Sequence, residues 1–134
     1  MSGESDLATL LSTLSAKLHP DTYVFATLPD GTVPPGLNPR MVFVEDEGTT
    51  LICTRDQAQA AGIAHEFPCR MITCDVHSAL EAVGFIAHIA TKLAAAGMGV
   101  NPVAGYYHDH LFIPEGREDD ALKILADIAA QAGV

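Results

Sequence analysis

RMITCDVHSALEAVGFIAHIATKLAAAGMGVNPVAGYYHDHLFIPEGREDDALKIL runs from Arg70 to Leu125, and its hydrophobic period changes three times. RMITCDVH (Arg70 to His77) is rich in β-branched residues and reads as a strand. GFIAHIATKLAAAG reads as a helix, with Phe85, Ile86, Ile89 and Leu93 on one face and Gly97 just past its end. VNPVAGYY and HLFIP read as a hairpin, with Tyr107-His108-Asp109 at the turn. A last helix, Asp119 to Ala132, places Leu122, Leu125 and Ile128 on its buried side. The order is β-α-β-β-α, most of a ferredoxin-like unit, in which helices cover one face of an antiparallel sheet.

The N-terminal half echoes this order. Leu7, Leu10, Leu11, Leu14 and Leu18 keep helical spacing, and His19-Pro20-Asp21 is expected to end that helix. TYVFATL (Thr22 to Leu28) reads as a strand, and PDGTVPPGLNP as a loop. MVFVEDEGTTLICT reads as two strands around Glu47-Gly48, and RDQAQAA as a short helix stopped by Gly62. Asn38-Pro39 and Asn101-Pro102 each open a strand, a hairpin and a helix, so the chain reads as an internal repeat. The first unit lacks the helix after its first strand, and the second lacks a closing strand. The expected fold is therefore α+β, a ferredoxin-like tandem sharing one sheet. Its expected division is residues 1–66, with the leading helix, and residues 67–134.

His77 to Leu125 resembles an ACT domain, of the kind found in tandem in aspartokinases and in cytosolic arginine sensors. The resemblance rests on Val83-Gly84-Phe85 before a helix ending Leu-Ala-x-x-Gly, a strand opening near Val100-Asn101, Asp109-His110-Leu111-Phe112-Ile113-Pro114 on the third strand, and Ala121-Leu122 in the second helix. It covers about Arg70 to Ala129. The N-terminal half is similar to a degenerate ACT unit, as in small stand-alone bacterial ACT proteins.

The resemblance implies a regulatory module that binds a small molecule, usually an amino acid, between two ACT units. The implied ligand positions are His77, Ser78, Ala79, Leu80, Glu81, Ala82, Val83 and Gly84 in the loop before the helix, and Asn101 at the start of the next strand. A helix N-terminus offers unpaired N–H groups to a carboxylate. Gly84 would allow close approach to the backbone, and the Asn101 amide oxygen could accept from an ammonium. A second reading competes for this loop. Ser78-x-x-Glu81 has the spacing of a capping box, which would start the helix at Ser78.

His108 and His110 alternate, and a metal site would need about three converging ligands. With Asp109 counted as a turn residue, the expectation is a polar hairpin tip and no metal site. His88 is expected to be a satisfied core or interface histidine. Cys69 and Cys74 lack zinc-knuckle spacing, and Cys74 is expected to face the core with Ile72 and Val76.

With 134 residues, 49% of them hydrophobic, the chain is long enough to bury a core. A net charge of −10, with seven scattered Lys and Arg, argues against a nucleic-acid partner. No apolar run is long enough to span a membrane. MSGESDLATL lacks signal-peptide features, and three cysteines without a C-x-x-C pair suit a reducing cytoplasm. The expected protein is thus a cytoplasmic amino-acid sensor or regulator, a homodimer, with no cofactor and no catalytic residues. The alternatives are a ligand-free dimerisation module, and a metal-dependent enzyme using His108 and His110.

Overall fold

A computed structural model describes residues 3–133. Helix α1 (Leu7–Ser12) leads into strand β1 (Ala16–Leu28), then β2 (Met41–Glu45), β3 (Gly48–Thr54) and helix α2 (Arg55–Ala61). Strand β4 (His65–Cys74) follows, then α3 (Phe85–Ala95), β5 (Asn101–Ala104), β6 (Asp109–Pro114) and α4 (Glu118–Ala132). The strands form a six-stranded sheet in the order β2-β3-β1-β4-β6-β5. After α1, the elements run β-β-β-α and then β-α-β-β-α, the order read from the sequence.

Two compact units emerge, and they are not contiguous in sequence. One comprises Met1–Pro20 with Arg70–Val134, and the other Asp21–Cys69. In the smaller unit, β1 and β3 pair antiparallel from Tyr23↔Thr54 to Leu28↔Thr49, and β2 pairs β3 from Met41↔Ile52 to Glu45↔Gly48. Val24, Ala26, Leu28, Leu51 and Cys53 point to one face, where Ala58 of α2 covers them. Thr54 caps α2 by accepting from the Gln57 N–H, and Gly62 ends it in the left-handed conformation at φ 65°.

In the larger unit, Ile72 and Cys74 of β4 and Leu111 and Ile113 of β6 share the face covered by helices. The helices contribute Leu10 and Leu11, then Phe85, Ile89 and Leu93, then Ala121, Leu125 and Ile128. Arg70 of β4 meets Glu118 of α4 at 3.0 Å and donates to the His19 carbonyl at 2.8 Å. On α4, Ala121 rather than Leu122 is fully buried, and Leu122 packs at the edge of the core.

One expectation fails clearly. The leading helix stops at Ser12, not at His19, and β1 runs straight through His19-Pro20-Asp21. The Ser12 and Thr13 hydroxyls donate back to the Thr9 carbonyl and compete with further helical turns. Just beyond, the Ser15 carbonyl accepts from the Asp75 N–H at 2.7 Å, which draws the chain into the sheet. Leu14 is buried in the same core and Leu18 packs against it, so leucines with helical spacing serve two different elements. β4 is also displaced from its expected span. It begins at His65 and ends at Cys74, which leaves Asp75, Val76 and His77 outside the strand.

Candidate functional site

The loop from Asp75 to Gly84 joins β4 to α3. Gly84 is the N-cap of α3, at φ 92° and ψ −9°, and no side chain caps the helix. A residue in the left-handed region cannot continue a right-handed helix backwards, so α3 begins at Phe85. The capping box is therefore not formed: the Ser78 hydroxyl donates to the Ala79 carbonyl instead, and Ala82 N–H closes a turn onto the same carbonyl. The first N–H groups of α3 keep no intrahelical acceptor, and the positive end of the helix dipole is left open.

The start of α3 borders a pocket of about 310 Å³. Gly84, Phe85, Ile86 and Ala87 form its wall at the start of α3. Ser78, Ala79, Leu80 and Ala82 form the loop side, and Pro102, Ala104, Gly105 and Asp109 the hairpin side. Asp109 is the one ionisable residue of this lining. It is 9% exposed, and burial pushes its carboxyl above the ordinary range, partly offset by the neighbouring His108. Cys74, buried on β4, has its thiol pushed up to about 12, first by burial and then by the negative charge of Asp109.

Of the residues implied from sequence, Ser78, Ala79, Leu80, Ala82 and Gly84 line the pocket. His77, Glu81 and Val83 do not. His77 turns its ring to Tyr107, 5.7 Å between centroids, and Val83 is 83% exposed. Asn101 lies exposed on β5 opposite Phe112, and its neighbour Pro102 takes the lining position. The sequence placed Asp109 in the hairpin turn, where Asp is common, and so did not count it among the ligand positions. In fact the turn is Gly105 to His108, where Gly105 N–H donates to the His108 carbonyl at 2.9 Å, and Asp109 opens β6.

The histidines do not converge. His108 donates through Nδ1 to the Val76 carbonyl at 3.2 Å. His110 Nδ1 shares a hydrogen bond with the Thr73 hydroxyl at 2.9 Å, and that hydroxyl also meets His19 Nε2 at 2.8 Å. Among the described residues no three His, Cys, Asp or Glu side chains are grouped to hold a metal ion. No helix among them is long and apolar enough to cross a membrane.

The back of the loop is tied to the N-terminal arm. Glu4 N–H donates to the His77 carbonyl at 2.7 Å, and Ala79 N–H donates to the Glu4 carbonyl at 2.9 Å, a parallel bridge between Glu4 and Ser78. A side chain at Gly3 would collide with the His77 carbonyl and stand 2.9 Å from the Ala79 nitrogen.

Two ACT-domain family models match in tandem, one over residues 2–70 and the other over residues 65–127. The chain belongs to the ACT-domain family. A solved Vibrio cholerae protein of unknown function, described as a possible transport protein, is 40% identical to this ACT chain, with a TM-score of 0.82 over 92% of this chain and 95% of its own. An Agrobacterium tumefaciens protein is 16% identical, with a TM-score of 0.74 over 87% of this chain and 89% of its own. The ligand-free regulatory subunit of Thermus thermophilus aspartate kinase is 14% identical, with a TM-score of 0.63 over 88% and 98%. The last two likenesses show a shared tandem ACT fold. The curated proteins include no match to the chain.

Proposed function

We propose that this chain is an amino-acid-binding regulatory or sensor protein of the cytoplasm, non-catalytic and homodimeric, built from ACT units at residues 1–66 and 67–134. The observation that carries the reading is the lining of the pocket, which joins the open N-terminus of α3 to the Asp109 carboxylate. Helix N–H groups suit a ligand carboxylate, and a buried carboxylate suits an ammonium or another cationic group. A free amino acid carries both charges on one small frame. Ala and Gly make up much of the remaining wall, which leaves the ligand backbone room to approach. Family membership supports a regulatory role, in which ligand stabilises whichever packing it binds more tightly, to the extent of its differential affinity.

A thermal-shift screen against the twenty amino acids tests the reading. A ligand at ~100 times its dissociation constant adds about 2.7 kcal/mol. At this chain length that corresponds to a rise of several degrees. The expected result is a selective rise with one or a few amino acids. A uniformly flat screen would overturn the amino-acid assignment and favour the ligand-free dimerisation module.

A further inference from the structure

A cavity of about 530 Å³ lies wholly within the Asp21–Cys69 unit and takes no part in the amino-acid reading. The ladder fixes the face it occupies. Thr27 pairs with Thr50 and Phe25 with Ile52, and cross-strand partners share a face. Val24, Ala26 and Leu28 alternate with them and turn towards α2. Phe25, Thr27 and Thr50 therefore stand on the face away from that helix. Glu45 of β2, with His65 and Glu66 of β4, completes the polar part of the lining.

The polar lining is built to accept hydrogen bonds. Ionised carboxylates only accept. The Thr50 hydroxyl spends its proton on the Glu45 carboxylate, which leaves its lone pairs to accept. The His65 ring donates through Nδ1 to the Ile63 carbonyl at 2.9 Å, so Nε2 is the acceptor of the neutral ring. No lysine or arginine is among the lining residues, in a chain of net charge −10. Phe25 supplies an aromatic wall. Phe67 braces it edge-on, with 5.8 Å between ring centroids, and is itself held at φ 60° directly before Pro68. An aromatic surface beside carboxylates suits an organic cation, whose alkyl part and charge both gain from the ring.

We propose that this cavity binds an aliphatic diamine or polyamine, with its ammonium groups at Glu45 and Glu66 and its alkyl chain across Phe25. The spacing favours an elongated ligand over a compact ion. β3 and β1 lie between β2 and β4 in the sheet, so the backbones carrying the two carboxylates are roughly 14 Å apart. Among the described residues no three His, Cys, Asp or Glu side chains are close enough to hold one metal ion. A chain with an ammonium at each end reaches both carboxylates and donates to the hydroxyls between them.

NMR titration of the full chain with putrescine and spermidine tests this, with butylamine and magnesium chloride as controls. Saturable shifts are expected at the amides of Thr27, Thr50 and Glu66. Butylamine, with one ammonium, should bind roughly tenfold more weakly than putrescine. Glu66 is exposed, so Glu66→Gln should keep the native circular dichroism, and it should weaken spermidine binding roughly tenfold. Phe25→Leu preserves an apolar wall without the ring and should weaken binding ~2- to 5-fold. Shifts that do not saturate, an equal response to magnesium, or unchanged spermidine affinity in Glu66→Gln would each overturn the site. Shifts centred on Gly84 to Ala87 would place the amine in the other pocket and overturn it too. Any of these results leaves the amino-acid reading to its own screen.

Discussion

The amide of Ala79 donates to the carbonyl of Glu4 at 2.9 Å, so the N-terminal arm holds the loop that walls the pocket. Neither Gly3 nor Glu4 lines that pocket. The arm therefore positions the loop from behind and does not compete with a ligand. Gly3→Val would drive a side chain into the His77 carbonyl. Faster hydrogen exchange at the Ala79 amide is expected, with roughly tenfold weaker amino-acid binding from loss of about 1.4 kcal/mol of loop order. Unchanged exchange at Ala79 would show that the arm does not hold the loop.

Gly84 is held at φ 92°, with the Leu7 side chain 3.4 Å from where a Cβ would stand. Gly84→Val should cost about 1–3 kcal/mol of stability through backbone strain. It should also remove the close approach to the start of α3. Denaturant melts read the first effect and the amino-acid thermal shift the second. Binding that survives with native affinity would displace the ligand from this position.

Asp109 separates binding from stability. Its carboxyl is held above the ordinary range, so the folded chain keeps this proton more tightly than the unfolded chain does. Its contribution to stability is then greatest when it is protonated and falls as pH rises through the folded-state value, which lies above the ordinary ~3.9. Asp109→Asn should abolish that fall and melt higher than wild type at neutral pH. The same variant should weaken amino-acid binding ~10- to 100-fold, the loss expected for a charge-assisted hydrogen bond. Lower stability together with intact binding would reverse both assignments.

Cys53, Cys69 and Cys74 are buried thiols outside any disulfide, with the Cys74 thiol pushed up to about 12. Reaction requires the thiolate, so the native protein should resist alkylation at mildly alkaline pH, and denaturant should release all three. Mass spectrometry of alkylated protein checks this. Rapid modification of Cys74 in the native state would place it at an exposed surface.

Leu93 of α3 is fully buried among the helices and sheet of its unit. Leu93→Ala should cost about 2–5 kcal/mol, the usual loss for a core leucine left as a cavity. Denaturant titration measures it directly, and a change below 1 kcal/mol would mean that the helix layer repacks freely.

The sequence by itself determined the element order from β2 onward and the ACT resemblance. Those signals are local: a β-branched and aromatic run in MVFVE, a period near 3.6 in FIAHIATKL, and Gly62 and Gly97 just beyond helix ends. It also marked the loop with Gly84, because a left-handed residue before an apolar helix leaves a glycine in the chain. Tertiary structure decided the rest. Leu14 and Leu18 have helical spacing, yet the bond from Asp75 to Ser15 commits this stretch to the sheet, since strand pairing depends on residues far away in sequence. Asp109 carries the local signature of a turn, and its burial beside Cys74 arises only when β6 is laid into the sheet. The tie from Glu4 to Ala79 joins positions remote in the chain and leaves no periodic trace beyond a glycine at position 3.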